Sequence, residues 1–173
     1  MRDRLPALVS LAALVLAGCG RGGPGAPEPP PPWIAVGSEA RLYSDNASGI
    51  QDSVRIVVRD AATMRDYWQR ATSQQMSPPP PPVVDFNDEM VLVVGAGRMT
   101  PEDRIRVDSV VVRNEVTTTG ERDVFTALVR VLEGCGRFQT DAYPVEIVRV
   151  RRFDGPVRFI ERRERAQDCR SAP

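Results

Sequence analysis

The residues of this chain with chemistry to offer are three cysteines, 23 acidic side chains and 23 basic ones, all of the latter arginine. Histidine is absent. Without an imidazole, a Ser-His-Asp triad and a Cys-His dyad both lack their base. Catalytic zinc sites lose their commonest nitrogen ligand. Any reaction would have to run on carboxylates, arginine or tyrosine. The carboxylates fall into two local groups. Asp85, Asp88 and Glu89 precede an apolar run; their spacing is not that of a calcium loop, and they read as turn residues and a strand cap. Glu102, Asp103 and Asp108 alternate with Arg98, Arg104 and Arg106. Paired carboxylates can do acid–base hydrolysis, but the plainer reading is a solvated charged face. Gly95, Ala96 and Gly97 follow a strand, yet Pro101 and a polar run replace the helix that a phosphate loop requires. Arg149, Arg151 and Arg152 form a basic run. On a strand Arg149 and Arg151 share a face, which makes the three candidates for meeting an acidic partner or lipid headgroups. Glu146, Asp154 and Glu161 lie near enough in sequence to neutralise them. No metal site and no cofactor is expected.

The cysteines divide one against two. Arg2 and Arg4 open the chain, an apolar run follows from Leu5 to Gly18, and Cys19 closes it. A charged start, a short apolar core and small residues at the cut describe an export signal. The core is shorter than the roughly 20 residues that span a bilayer. Leu16-Ala17-Gly18-Cys19 also resembles the bacterial lipobox, in which the cysteine is acylated after cleavage before it. The expectation is a signal peptide over 1–18, a lipid on Cys19 and an envelope location. Gly20, where an aspartate would mark inner-membrane retention, favours the outer membrane. The next residues, to Pro32, are glycine- and proline-rich and cannot build a core; they read as a tether reaching roughly 40 Å at full stretch. In an oxidising compartment an even cysteine count favours a disulfide. Cys135 and Cys169 are the remaining pair, closing a loop worth roughly 3–4 kcal/mol and pinning a polar tail, Arg162 to Cys169, to the domain.

The formal net charge is zero, so nothing points to nucleic acid. Residues 33–173 read as a single domain. Asp60 can cap a helix, and Ala61, Met64, Tyr67, Trp68 and Ala71 then fall on one stripe, predicting a helix over Asp60 to Thr72. Pro78 to Pro82 exclude its continuation and read as a surface loop. The rest reads as strands. Val54, Ile56 and Val58 alternate with arginines. Met90 to Val94 is a continuous apolar run that suits a central strand covered on both faces. Ile105 to Arg113 changes phase near Ser109. Phe125, Ala127, Val129 and Val131 share a face. Tyr143, Val145 and Ile147 mark another strand, and Val157 to Glu161 the last. The expected class is α+β, a mostly antiparallel sheet with one main helix packed on it.

Several of these segments resemble the C-terminal domain of the protease complex subunit PrcB family. The resemblance rests on Trp68, the proline run, Val84-Asp85-Phe86 and Met90 to Gly95, then on Thr100, Ile105, Thr140, Tyr143-Pro144, Ile147-Val148 and Pro156, Val157 and Phe159. It covers about 68–161. The family's Gly-Gly-Tyr is replaced by Pro101-Glu102-Asp103, and its Pro-Tyr order is reversed at Tyr143-Pro144. The resemblance implies an exported, often lipid-anchored, noncatalytic domain, in one member accessory to a surface protease complex. The expected function is therefore a binding or accessory lipoprotein domain, not an enzyme, with the membrane and an envelope protein or protease as partners. Two other readings are a carboxylate-based hydrolase of envelope polymers and a purely structural envelope protein.

Overall fold

The first strand, close behind a proline, is very short. The computed structural model describes residues 32–118, 120–136 and 140–165. Strand β1 is only Ile34–Ala35; Pro32, two residues upstream, could not have donated to a longer ladder. A 3-10 turn at Ser38–Ala40 leads into β2 (Arg41–Asp45), and β3 (Ser53–Val58) and helix α1 (Ala61–Thr72) follow. Then come β4 (Glu89–Ala96), β5 (Arg104–Thr117), β6 (Gly120–Glu133), β7 (Val145–Arg151) and β8 (Val157–Arg165).

The strands make two four-stranded sheets, ordered β1-β5-β6-β8 and β2-β7-β4-β3. All pairings are antiparallel except β6 with β8. The class is α+β, as the periodicities predict, but the strands divide into two stacked sheets instead of one. Met90, Leu92, Val94 and Val148 of the second sheet pack on Ile105, Val107, Phe125, Ala127, Val129 and Val131 of the first. The other face of the second sheet, with Val91, Val93, Val145 and Ile147, packs on Met64, Trp68 and Ala71 of α1. Strand β4 is thus apolar from Met90 through Val94 because it has a sheet on one side and a helix on the other. Each fully buried side chain of this kind contributes roughly 1.5–3 kcal/mol.

Helix α1 starts where Asp60 accepts the amides of Ala62 and Thr63 at 2.9 and 2.8 Å. The Thr63 amide and hydroxyl, first among the causes, hold the Asp60 carboxyl below its ordinary range. Ala61, placed on the apolar stripe by spacing, is exposed in the first turn. Trp68 is buried and donates its indole N–H to Pro79 O at 2.8 Å, so the proline loop is tied to the helix it terminates.

The phase change in β5 is real. The ladder with β6 slips between Val107 and Ser109, a bulge that moves the inward set from odd to even positions. The tail also differs from expectation. Strand β8 continues through Arg165 beside β6, so Arg162 to Arg165 belong to the sheet.

Candidate binding surface

The long hairpin β5–β6 outruns the second sheet, and this uncovers part of the interior. Val112 is 41 % exposed although it lies opposite buried Phe125 on the inward face. The gap is an apolar trough of about 350 Å3 whose lining includes Ile34, Val36, Ala40, Val110, Phe125 and Val150. Glu39 and Arg151 stand among its lining residues. A second hollow of about 300 Å3 adjoins it, lined by Val112, Phe125, Arg151, Arg152 and Phe153. The trough offers apolar walls with one acid and one cation among its lining residues, which suits an amphipathic segment.

The arginine run anticipated from sequence is divided by the fold. Arg149 and Arg151 do share a face of β7, opposite Val91 and Glu89. Arg149 approaches Glu89 at 3.9 Å and donates to Glu39 O at 3.3 Å. Arg152 lies past the strand, donating to Asp154 at 2.8 Å and to the Phe86 carbonyl. Arg151 is exposed and has no hydrogen-bonding or ionic partner among the described residues, which leaves its guanidinium available.

The acidic loop proves to be structural scaffolding. Asp103 is 5 % exposed, contrary to a solvated face, because its carboxylate accepts the amides of Thr100 and Gly134, both at 2.7 Å. Glu102 accepts the amides of Cys135 and Gly136 at 3.1 and 2.8 Å. The two adjacent acids therefore cap the segment that leaves β6. A polar cleft of about 560 Å3 lies here, with Arg98, Thr100, Asp103, Glu133, Cys135, Arg163 and Arg165 in its wall. Its carboxylates are engaged: Asp103 with amides, Glu133 with Arg163 and Arg165 at 3.6 and 3.8 Å. Asp108 pairs with Arg130 at 3.1 Å. Asp85 closes its own turn on Asn87. Among the described residues no three acids or cysteines group to hold a metal ion.

Sequence reasoning set Glu146 against the arginine run, but it pairs elsewhere and is the most buried charge among the described residues. Glu146, 2 % exposed, pairs with Arg41 and accepts the Val107 amide. Arg41 donates in turn to Val107 O at 3.2 Å and Val36 O at 3.0 Å. Val107 lies beyond the reach of two-residue β1, so two side chains from the facing sheet satisfy the edge that a longer β1 would have paired. Burial pushes the Glu146 carboxyl up, and the Val107 amide and Arg41 oppose it. A lone charge inside the apolar run Val145 to Val148 was the one available signal. On the opposite side of the sandwich Arg55 joins Glu161, tying β3 to β8.

Cys135 is exposed at the end of β6. Cys19 and Cys169, and with them the lipid site and half of the expected disulfide, lie outside the described residues. No protein-family model, curated protein or solved structure matches the chain.

Proposed function

We infer that this chain is a noncatalytic binding domain, carried on a lipid at Cys19 and acting as an accessory to an envelope protein. The observation that carries the reading is the contrast between its hollows. The polar cleft holds carboxylates already engaged by amides and arginines. The apolar trough is open, and Arg151 at its rim has no partner among the described residues. A trough of that kind takes up a partner's apolar side chains and orients an acid, and it supplies no general base. The resemblance to the PrcB domain favours a secreted or surface protease as the partner.

The disulfide between Cys135 and Cys169 is part of this proposal, and the register of β8 supports it. Glu133 lies beside Arg165 in a parallel pair. Both strands therefore end on the same side of the sheet, and in sequence Cys135 is two residues after Glu133 and Cys169 four after Arg165.

Two experiments test the reading. Globomycin should leave a larger, uncut precursor; an unchanged gel position counts against the lipid. Pull-down from solubilised envelope should recover a protein that Arg151→Glu and Val112→Asp each release. Recovery of nothing above background, or recovery indifferent to both substitutions, refutes the trough as the binding site.

A further inference from the structure

The chain is neutral overall, but its charges are not evenly placed. Residues paired across neighbouring strands share a face, and faces alternate along each strand. The registers of β5, β6 and β8 therefore assign the outward face of the first sheet. Arg106 pairs with Arg130, and Arg130 with Arg162, so three arginines stand in one row across three strands. Arg104, Arg113, Arg122 and Arg158 occupy the same face by the same registers. The carboxylates that join them are Asp108, Glu115 and Glu164. Seven arginines thus face three acids.

The acids do not silence the face. Arg130 holds both Asp108 and Glu164, at 3.1 and 2.6 Å. Glu115 takes Arg158 through two bonds of 2.6 and 2.8 Å. Arg106, Arg122 and Arg162 are exposed and make no hydrogen bond or close ion pair among the described residues, though the charge of Arg106 is felt by Glu146. Arg113 lies under the Trp33 ring, 5.1 Å from its centroid. Trp33 precedes Ala35, which pairs with Ser109 on this face. It is 37 % exposed, and in sequence it is the residue that joins the domain to the tether.

We propose that this outward face of the first sheet lies against anionic phospholipid headgroups, its arginines on phosphates and Trp33 at the interface. Arginine engages phosphate oxygens through two parallel N–H bonds. Indole settles where apolar and polar regions meet. The proposal extends the lipid-anchor reading, since a tether that joins the domain at Trp33 brings this face, and not the helix on the far side of the molecule, to the bilayer. The trough between the sheets then opens sideways, clear of the membrane.

The test uses a chain beginning at residue 19 with Cys19→Ser, so that no lipid contributes; residues 1–18 belong to none of the described elements. Its sedimentation with phosphatidylcholine vesicles is compared with and without phosphatidylglycerol. Binding should require phosphatidylglycerol and disappear in about 1 M salt, where screening acts within roughly 3 Å. Each arginine near such a surface contributes about a fivefold factor in affinity. Arg106→Ser/Arg122→Ser/Arg162→Ser should therefore bind about a hundredfold more weakly. Arg65→Ser/Arg70→Ser, on the helix, should bind as the parent does. Trp33 emission should shift to the blue on binding in the parent and stay fixed in the triple variant. Absence of binding to phosphatidylglycerol vesicles at low salt overturns the proposal, as does an equal loss in the helix variant. Because the probe carries no lipid, failure here leaves the Cys19 anchor untouched. Failure of the anchor in the globomycin test likewise leaves this result standing.

Discussion

Replacing Arg41 with methionine removes one half of a charge pair that stands in for a missing strand. Glu146, its side chain 3 % exposed, then keeps the Val107 amide as its remaining protein donor. The carbonyls of Val36 and Val107 lose the arginine as well. Breaking a buried pair from one side costs about 3–5 kcal/mol, and Glu146→Leu should cost a similar amount. The double variant, Arg41→Met/Glu146→Leu, should cost little more than either single one, because the second change removes a charge that the first left unpaired. That implies a coupling of roughly 3 kcal/mol, read from urea unfolding followed by the fluorescence of buried Trp68. The pH dependence supplies a second arm. Burial, opposed by the Val107 amide and Arg41, raises the Glu146 carboxyl above its ordinary range. A raised carboxyl favours the fold below its unfolded range, and that benefit is lost as pH rises through the folded value. The deficit of Arg41→Met should therefore be full near neutrality and shrink as acid protonates Glu146, while the double variant shows no such recovery. Additive single losses, or a deficit indifferent to pH, would refute the view that these two side chains cap the edge of β5 together.

Other consequences follow from the same contacts. Asp103→Ala strands the amides of Thr100 and Gly134 and should cost about 2–4 kcal/mol, with hydrogen exchange quickening first at those two positions. Trp68→Ala empties the layer between α1 and the second sheet and cuts the proline loop loose; it should cost about 3–5 kcal/mol, measured as a fall in the urea midpoint. Alkylation without reductant should leave Cys135 unmodified in exported protein. Reduction should then lower stability by roughly 3–4 kcal/mol, whereas a free thiol at Cys135 would remove the proposed bond.

Local pattern carried much of the architecture. The cap at Asp60, the stripe through Met64, Trp68 and Ala71, and the phase change near Ser109 were all legible, because each is decided by residues within a few positions of one another. The two-sided burial of Met90 to Val94 was legible for the same reason. The division into two sheets was not. Nothing in a strand's own alternation says which neighbour it will pair with, and β6 takes β8, two dozen residues on, in parallel. The first two strands escaped notice because β1 is only two residues long and β2 carries Arg41, Ser44 and Asp45 in a five-residue span.

The sites divide along the same line. Sequence alone determined the absence of histidine, the zero formal charge and the proline run that excludes continuation of the helix, since composition and neighbouring residues are sufficient for each. Tertiary structure decided what the charges do. Glu102 and Asp103 became amide caps because the end of β6 arrives beside them. Glu146 became a buried clamp because Arg41, 105 positions away, lies on the neighbouring strand β2 of the same sheet. The row Arg106, Arg130 and Arg162 exists only because three strands lie in register. The physical reason is reach: a charged side chain acts over a few ångströms, and only folding brings residues far apart in the chain within that distance.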